Sequence, residues 1–468
     1  MKQRAISRRE FAGASASLSA LSWSSLIRAA SPLSRLRVGV IGTGVRGKYL
    51  IGNLPENARV VALCDCATSR VAGTLSPKQE FAEVLAGFCQ RDSGACKSYQ
   101  DYRRMLDREP LDAVIIATPD HHHVQAAMLA LHAGLDVYLE KPLSLTIREG
   151  RLLADLVKST GRVLQVGSQQ RTMELNRFAC EFIRDGGLGK VKRVDCPNYP
   201  GPIAESGFNS EPIPEELQWE LFLGPSSFRP HNRKLWVKDK FKVDQRLWRG
   251  WDLFRDYSGH LMTNWGAHNV DMVQYALGMD HCGPVNIAPL DVSEAALERD
   301  WRKKWYNKTP RPEGRFSQAS RFQPVTMEYA DGTTLNFLPD VPTATFYGEH
   351  GSMKISRNRF VTDPPDLIRN APDPAIADRW KGSGFVARPH LQNWIDCMET
   401  RRPTNAPAEV GHRSVTVCHL ANLVREVNRP LKWNPVEERF VDDEEANALL
   451  NRPRRKGFEL PVPTGQDE

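Results

Sequence analysis

The sequence lacks the patterns that build structural zinc sites and disulfide frameworks. Its nine cysteines form no CxxC pair, and no cysteine and histidine set stands at zinc-ligand spacing. In a chain of 468 residues, these scattered cysteines predict neither a zinc site nor a disulfide scaffold. His121, His122 and His123 are adjacent, but side chains of consecutive residues on a turn diverge. We therefore expect no metal there.

A strong charge bias is also missing. The net charge of +7 is spread along the chain, and 25% of the residues are charged, as in ordinary soluble proteins. The two densest basic stretches, 301–308 and 452–456, form no stripe or motif of a nucleic-acid reader. We expect both stretches to be solvated surface and predict no nucleic-acid partner. The length leaves room for two or three domains.

The N-terminus carries a targeting pattern. Arg8 and Arg9 precede a mildly apolar run, Ala12–Ala20, which is too short and too polar to span a bilayer. Twin arginines before such a run are typical of a twin-arginine export signal. We predict that residues 1–30 are this signal, that the protein is periplasmic or extracytoplasmic, and that it has no stable membrane insertion. The alternative is a basic disordered tail.

The most informative stretch is 37–65. An apolar run, Val38–Ile41, leads into a glycine loop, Gly42–Gly47, and a second apolar run ends at Asp65. In a strand–turn–helix unit, the first glycine permits the tight turn, the second lets the backbone approach a pyrophosphate, and the third lets helix and strand pack closely. Free N–H groups at the helix start favour an anion. The pattern predicts a dinucleotide site; a glycine-bearing turn without a ligand is the alternative.

Asp65 sets the expected cofactor. At the tip of the second strand, its carboxylate can accept hydrogen bonds from ribose hydroxyls and repel a 2′-phosphate. NAD is therefore favoured over NADP. Arg70 argues the other way, since a basic residue just past the acid can receive a 2′-phosphate. We expect Arg70 to lie on a solvated helix face.

Residues 35–168 alternate between strand and helix patterns. Ala113–Ala117 is a continuous apolar run, typical of a strand buried on both faces of a parallel sheet. The alternation predicts an α/β Rossmann domain with a doubly wound parallel sheet. Ligands of such sheets bind beyond the carboxyl ends of the strands. We expect one crevice there, lined by residues 42–47, 65, 118–123 and 140–142.

The pattern changes from about residue 170, where longer β-type segments alternate with Pro-rich and Trp-rich loops. Residues 169–435 are predicted to form a C-terminal α+β domain with a large open, mainly antiparallel sheet. Residues 436–468 are predicted to be a C-terminal tail that is loosely ordered after about residue 450. Aromatic faces suit sugar rings, and five tryptophans cluster before residue 268: Trp219, Trp236, Trp248, Trp251 and Trp265.

Five motifs occur together. They are the glycine loop, TPDHHH (118–123), EKP (140–142), GSQQR (167–171) and WGAHNVDMVQYALG (265–278). In this combination the chain resembles the Gfo/Idh/MocA-type oxidoreductases over residues 35–430, and the stretch 390–422 resembles one secreted bacterial branch of them. The resemblance implies a Rossmann domain followed by an open-sheet domain, with activity on sugars, polyols and related hydroxy compounds.

Lys141 and His268 are the candidate catalytic pair. A lysine beside a nicotinamide ring can hydrogen-bond the reacting hydroxyl and stabilise an alkoxide, and by resemblance Lys141 is the family's catalytic lysine. Histidine titrates in the range of a general base. In the family an aspartate precedes this histidine by one helical turn, whereas this chain has Asn264, which can orient the imidazole without a full charge. The alternatives are a surface lysine paired with Glu140 and a structural histidine.

Other candidates lie at the same strand ends. By resemblance, Asp120, His121 and His123 line the nicotinamide and substrate end of the pocket. Arg171 is equally compatible with binding substrate and with a structural salt bridge, and we expect Asp271 to pair structurally. The predicted cofactor set is Gly42, Gly44, Val45, Arg46, Gly47, Asp65, Thr118, Pro119, Asp120, His123, Glu140 and Lys141. The predicted substrate set is His121, Gln169, Arg171 and Trp265.

The sequence thus predicts an NAD(H)-dependent oxidoreductase that acts on a sugar, polyol or glycoside hydroxyl. We expect a tightly bound cofactor, because an exported enzyme has no soluble periplasmic NAD pool to draw on. One alternative is NAD-dependent glycoside cleavage by oxidation and elimination. Another, suggested by Asn264, is a catalytically weak sugar-binding or scaffold homologue. By resemblance, the open sheet implies a homodimer or homotetramer.

Overall fold

A parallel sheet forms the N-terminal part of the protein. The structure is a computed structural model that describes residues 35–203, 209–233, 235–236, 250–291, 321–380 and 387–461. The predicted export signal, the basic stretch 301–308 and Trp248 lie outside the described residues. Among the residues described, no helix has the length and apolar character needed to cross a bilayer.

The first sheet has the predicted doubly wound topology. Six strands lie in the order β3-β2-β1-β4-β5-β6, and every pairing is parallel. All four residues of β4 are buried, as expected for a strand covered on both faces. The strands are β1 (Leu36–Ile41), β2 (Ala58–Cys64), β3 (Lys97–Tyr99), β4 (Ala113–Ile116), β5 (Asp136–Leu139) and β6 (Leu164–Val166).

Helices connect these strands. The helix after β5 begins at Thr146, whose hydroxyl accepts the N–H of Glu149, and ends at Gly161 in the left-handed conformation. The helices are α1 (Val45–Gly52), α2 (Thr68–Leu75), α3 (Ala82–Arg91), α4 (Tyr102–Arg108), α5 (His123–His132) and α6 (Ile147–Thr160).

The second sheet confirms the predicted open, mainly antiparallel architecture. Its nine strands lie in the order β13-β12-β11-β7-β10-β9-β8-β14-β15. Among the described strands of this second sheet, only β7 and β10 pair in parallel, and the other pairings are antiparallel. The strands are β7 (Arg193–Pro197), β8 (Asn286–Pro289), β9 (Val325–Glu328), β10 (Thr334–Leu338), β11 (Ala344–Tyr347), β12 (Ser352–Ser356), β13 (Arg359–Asp363), β14 (Leu431–Asn434) and β15 (Arg439–Phe440).

Three helices cover one face of this sheet. Leu335 and Phe337 of β10 are fully buried against α7, α10 and α12, while their neighbours along the strand are only partly buried. This period of two is what a sheet with one covered face requires. The helices of this part are α7 (Glu174–Arg184), α8 (Trp219–Leu223), α9 (His260–Asn264), α10 (Gly266–Ala276), α11 (Arg388–Thr400), α12 (Ala408–Val427) and α13 (Glu444–Asn447).

Helix α11 returns to the first sheet. Its Trp394 is fully buried and meets Tyr138 of β5 edge to face, with ring centroids 5.7 Å apart. Leu391 and Ile395 join the same core as Val38. Residues from the C-terminal half therefore cover one face of the Rossmann sheet, which the order of the sequence did not predict.

Residues 451–461 are not a loose tail. Arg452 and Arg454 each place a guanidinium nitrogen 2.8 Å from Oε1 of Glu149, which is buried on α6. Phe458 and Leu460 are also buried. The expectation of a solvated stretch at 452–456 is wrong, because a buried carboxylate needs charged partners and these arginines supply them. Strand β15 and helix α13 likewise continue the second domain past residue 435.

An ion-pair network ties α6 to the second domain. Arg151 donates from Nη1 and Nη2 to the two oxygens of Glu409 at 2.8 Å, and from Nη2 to Glu438 at 2.8 Å. His412 Nε2 lies 2.8 Å and Arg413 Nη1 3.0 Å from Oε1 of Glu438. The Glu438 side chain is only 8% exposed. The Glu438 carboxylate thus links the turn between β14 and β15 to the helices that carry Arg151 and His412.

We expect Glu438→Gln to lower the free energy of unfolding by about 3 kcal/mol, because it removes one partner of a buried pair and leaves Glu409 to pair with both Arg151 and Arg413. Chemical denaturation followed by circular dichroism measures this change. Glu444→Gln is the matched control. Glu444 is 85% exposed and pairs with Arg439 at the surface, so its loss should change stability by less than about 0.5 kcal/mol. Equal losses in both variants would contradict the network.

The same variant should change the acid dependence of stability. Burial acts to raise the pKa of Glu438, but hydrogen bonds from His412 and Arg151 outweigh it and lower the pKa from 4.5 to about 2. A depressed carboxyl pKa gives stability that is present above the unfolded pKa and is lost as the pH falls toward the folded one. The protein should therefore lose stability between pH 4.5 and about 2, and Glu438→Gln should lose less over that window.

Candidate active site

The glycine loop joins β1 to α1 in a tight turn. Gly42 has a φ of +91°, and a Cβ on it would lie 2.5 Å from the carbonyl oxygen of Ala117. A Cβ on Gly47 would lie 2.1 Å from the carbonyl oxygen of Gly42. A Cβ on Gly44 would meet no atom within 4 Å, and no side-chain hydrogen bond caps α1. Gly42 and Gly47 thus permit close packing, while Gly44 borders open space at a helix start that favours anions.

Asp65 fixes the loop from the end of β2. Its Oδ2 accepts the N–H of Thr43 at 2.9 Å, and its Oδ1 accepts the N–H of Ala67 at 3.0 Å. Oδ2 also accepts the Thr43 hydroxyl at 3.3 Å, and Oδ1 lies 3.7 Å from the sulfur of Cys66. These four contacts match the roughly four lone-pair sites of a carboxylate, so a ligand in the cavity that Asp65 lines would replace one of the two longer contacts. The sequence analysis predicted that Asp65 binds the ribose of the cofactor. It did not predict that the Asp65 carboxylate also fixes the glycine loop by accepting the N–H of Thr43.

Arg70 does not lie on a solvated helix face. It lines the same cavity as Asp65, and its guanidinium carbon lies 5.2 Å from the ring centroid of Trp236. Trp236 is buried in a cluster of aromatic and aliphatic side chains that includes Leu217 and Phe254. The cation–π contact with this ring turns the Arg70 side chain toward the cavity. The helical pattern alone could not predict this contact.

One cavity of about 380 Å³ contains most of the predicted residues. It is bounded by the carboxyl ends of β1, β2, β4, β5 and β6 and by the junction of α9 and α10. The predicted residues that line it are Gly42, Gly44, Val45, Arg46, Asp65, Thr118, Pro119, Asp120, Glu140, Lys141, Gln169, Asn264, Trp265 and His268.

Lys141 is held by Asn264. Its Nζ donates to Oδ1 of Asn264 at 2.7 Å, and the Lys141–Pro142 peptide bond is cis. Glu140 binds Nε of Arg46 at 2.7 Å, so the alternative pairing of Glu140 with Lys141 is not observed. The expectation that Asn264 orients His268 is also not met, because the cationic lysine takes the amide oxygen.

His268 lies in the cavity as a neutral base. Within the described part of the chain, neither ring nitrogen makes a hydrogen bond to the protein. Burial lowers the pKa of His268 well below 6.5, and the positive charges of Lys141, Arg357 and Arg46 lower it further. The imidazole is therefore unprotonated at neutral pH and can accept a proton from a bound hydroxyl.

His121 and His122 share one backbone partner, the carbonyl oxygen of Phe222, whereas His123 has two others. His122 lines the cavity, whereas His121 and His123 do not. Nε2 of His121 lies 2.9 Å from the carbonyl oxygen of Phe222, while His123 lies between the carbonyl oxygens of Pro142 and Thr118, at 2.6 and 3.0 Å. The structure does not place His121 and His123 in the cavity lining, because hydrogen bonds to backbone carbonyls hold both rings. The rings of His121 and His122 do not diverge as expected, since their centroids lie 4.4 Å apart. Among the described residues, no group of His, Cys, Asp and Glu could hold a metal ion.

Arg171 is structural. Its Nε lies 2.9 Å from Oδ1 of Asp271, its Nη2 lies 2.6 Å from Oδ1 of Asp280, and its guanidinium stacks on Tyr275. The side chain is 4% exposed and lies outside the cavity lining. The salt-bridge alternative is therefore the observed one, and the expected structural pairing of Asp271 is confirmed.

The tryptophans divide between core and cavity. Trp219 and Trp236 are 3% exposed and pack in a buried cluster. Trp265 is 37% exposed and lines the cavity, as does Trp251. Only these two of the described tryptophans offer a face to a ligand there.

Several lining residues come from stretches without a recognisable motif, among them Tyr102, Phe222, Arg357 and Phe458. Phe458 lies between the guanidinium groups of Arg103 and Arg455, 4.8 and 5.0 Å from its ring centroid. These residues reach the cavity only through long-range packing, so no local pattern could have identified them.

Two family profiles match almost all of the described chain. Residues 36–168 match the oxidoreductase family, NAD-binding Rossmann fold, and residues 203–460 match the oxidoreductase family, C-terminal alpha/beta domain. The chain belongs to the Gfo/Idh/MocA oxidoreductase family. The sequence-based recognition of the family is thereby confirmed, while its secreted branch stays a prediction.

Relatives in the Gfo/Idh/MocA family differ in activity. The chain is 25% identical to scyllo-inositol 2-dehydrogenase (NAD(+)) of Bacillus subtilis over 358 residues, covering 74% of this chain and 89% of that protein. It is 24% identical to a glycosyl hydrolase family 109 protein of Stenotrophomonas maltophilia over 252 residues, and spans only about half of it, 53% of each chain.

A solved structure shows the same fold. The WlbA dehydrogenase of Bordetella pertussis, in complex with NADH and UDP-GlcNAcA, superposes with a TM-score of 0.57 at 16% identity. The superposition covers 86% of this chain and 98% of WlbA. At this identity the likeness concerns the fold.

The glycine loop gives a paired prediction. We expect Gly44→Ala to keep the melting temperature of the protein and to weaken NAD⁺ binding by about tenfold or more, roughly 1.4 kcal/mol, because a methyl group there meets no protein atom. Gly47→Ala should instead lower the melting temperature, because its methyl group would clash with the Gly42 carbonyl. Differential scanning fluorimetry and calorimetric titration with NAD⁺ measure both effects. Normal NAD⁺ affinity in a folded Gly44→Ala variant would contradict the assigned role.

Proposed function

We propose that the protein is an NAD(H)-dependent oxidoreductase that acts on a hydroxyl of a sugar, polyol or glycoside. The observation that carries this proposal is the single cavity that joins the glycine loop and Asp65 to Lys141 and His268. A dinucleotide placed on the loop would bring its nicotinamide to the strand ends that carry Lys141. The Bacillus subtilis relative, an NAD(+)-dependent inositol dehydrogenase, supports the same assignment.

The residues present fit a dinucleotide. The open space beside Gly44 and the uncapped start of α1 suit a pyrophosphate. Asp65 lines the cavity, and ribose hydroxyls would replace its longer contacts to the Thr43 hydroxyl and the Cys66 thiol. Its carboxylate would repel a 2′-phosphate, which favours NAD over NADP. Phe458 lines the cavity and belongs to the segment that is anchored by the ion pairs of Arg452 and Arg454 with Glu149. This additional wall supports tight retention of the cofactor. When bound, the cofactor supplies the hydride acceptor or donor.

The remaining chemistry falls to the protein's own side chains. His268 accepts the proton of the substrate hydroxyl, since its pKa lies well below 6.5. Lys141 donates a hydrogen bond to the same oxygen and stabilises the developing alkoxide. Asn264 holds the Lys141 ammonium at 2.7 Å and so fixes its position. Trp265 offers an aromatic face to a sugar ring.

We also propose that residues 1–30 direct export by the twin-arginine route to the periplasm, and that the protein is a homodimer or homotetramer. The paired arginines and the short Ala/Ser-rich run support the first proposal. The open face of the nine-stranded sheet supports the second. Export of a folded protein fits an enzyme that carries its cofactor with it.

The first test is the nucleotide content of the purified protein. We expect acid denaturation followed by mass spectrometry to release NAD(H) in stoichiometric amount. Release of NADP(H) would overturn the cofactor assignment. A protein without nucleotide that also fails to bind added NAD⁺ would favour a sugar-binding or scaffold role.

The second test is catalytic. We expect Lys141→Met to lower kcat at least about 100-fold, as the loss of a preorganised donor does elsewhere, while the nucleotide stays bound. Removing this charge should also raise the pKa of His268, because Lys141 lowers it, and so move the acid limb of the kcat/KM profile to higher pH. Lys158→Met, at an exposed position on α6, is the control and should leave both unchanged. An unshifted acid limb in Lys141→Met would argue against His268 as the base.

Glycoside cleavage is the second candidate function, favoured by the similarity to the glycosyl hydrolase family 109 protein. In that reaction a hydroxyl would be oxidised to a ketone, the carbon next to the ketone would lose a proton, and the aglycone on the following carbon would leave. Water would then add to the double bond and the hydride would be returned to the ketone, so that no net NADH forms. Release of an aglycone from an aryl glycoside without net NADH would favour cleavage. NADH accumulation with a free sugar would favour the dehydrogenase.

A further inference from the structure

Arg357 occupies the substrate end of the cavity. It lines the wall together with Trp265, His268 and Lys141, and its guanidinium carbon lies 6.0 Å from the ring centroid of Trp265. It comes from the turn between β12 and β13, in the second domain. No sequence motif marked this residue.

The turn that carries Arg357 is clamped from both sides. Asn176 on α7, which is fully buried, donates from Nδ2 to the carbonyl oxygen of Ser356 at 3.0 Å. Its Oδ1 accepts the N–H of Asn358, the next residue after Arg357. Asn358 is itself buried and has a φ of +50°. The backbone on either side of Arg357 is therefore fixed, and the guanidinium is presented from a rigid element.

Positive charge accumulates at this end of the cavity. Arg357, Lys141 and Arg46 each lower the pKa of His268. The pKa of Arg357 is itself lowered, by burial and then by the positive charge of Arg46. Arg46 binds Glu140, and Lys141 donates to the amide and carbonyl oxygens of Asn264. An anion bound beside Arg357 would be attracted by all three of these cations.

We propose that Arg357 binds a carboxylate of the substrate, and that the substrate class is therefore sugar acids, with hexuronic acids and their glycosides as the best fit. The proposal rests on the proposed function and deepens it. A guanidinium binds a carboxylate with two parallel hydrogen bonds. The sugar ring would lie against Trp265, with its reacting hydroxyl between Lys141 and His268 and its carboxylate at Arg357.

The pyrophosphate of the cofactor is the other anion within this cavity. The glycine loop and the start of α1 already form a place for it, next to Gly44. Arg357 instead shares its wall with Trp265 and His268. The geometry therefore favours the substrate as the source of the anion, and the two sources predict different losses when Arg357 is replaced.

The test compares sugars that differ only in charge. Methyl hexuronides of the gluco, galacto and manno series are titrated calorimetrically into the NAD-loaded protein, each beside its neutral methyl hexoside. We expect at least one uronide to bind about tenfold or more tightly than its neutral partner, a difference of about 1.4 kcal/mol. Arg357→Gln should abolish this preference, and Arg357→Lys should keep part of it. NAD⁺ affinity should stay unchanged in both variants.

Arg359→Gln is the matched control. Arg359 lies on the same hairpin and is exposed, so its charge is removed without altering the cavity. The preference should survive in this variant. If no uronide binds more tightly than its neutral partner, or if Arg357→Gln weakens NAD⁺ and leaves the sugar preference intact, the inference is overturned. Either result would leave the proposed oxidoreductase function standing, because that function fails only if NAD⁺ does not bind or no hydroxyl compound is oxidised.

Discussion

The hydrogen bond between Lys141 and Asn264 joins the two domains where the chemistry is expected. Lys141 follows β5 of the Rossmann sheet, and Asn264 ends α9 of the second domain. Neither domain contains a site by itself, because the cavity walls come from both. The position of Lys141 therefore depends on how rigidly the domains are held. Three sets of contacts hold the two domains together. They are the ion pairs of Arg151, the ion pairs of Arg452 and Arg454 with Glu149, and the packing of α11 on the Rossmann sheet.

The electrostatics of the cavity follow from this arrangement. The amide of Asn264 positions the lysine without neutralising it, and Arg357 brings a further cation from the opposite domain. Burial, and then these cations, lower the pKa of His268, and the cations also favour an oxygen that is losing its proton. A carboxylate in place of Asn264 would oppose both effects. The residue that departs from the family pattern is thus consistent with a working site of positive potential.

Local patterns predicted the framework of the protein well. The glycine loop, the buried run of β4 and the EKP turn each depend on neighbours in sequence, and each lies where the sequence placed it. The sequence-based predictions failed for side chains whose binding partners are distant in the sequence. Arg171 forms ion pairs with Asp271 and Asp280. Arg70 stacks on Trp236. The rings of His121 and His123 form hydrogen bonds with backbone carbonyl oxygens. Arg357 and Phe458 reach the cavity only through packing that spans most of the chain.

The return of α11 to the first sheet has a consequence for biosynthesis. The Rossmann strands emerge from the ribosome long before Trp394, and until α11 is made the apolar face around Val38 and Tyr138 lacks its cover. Phe458, which completes the cavity wall, is translated later still. Contacts of such long sequence separation slow folding, because chain ends must be brought together before the contacts stabilise anything. The nascent Rossmann domain therefore exposes apolar surface for longer, and the cavity can be completed only after nearly the whole chain has been synthesised.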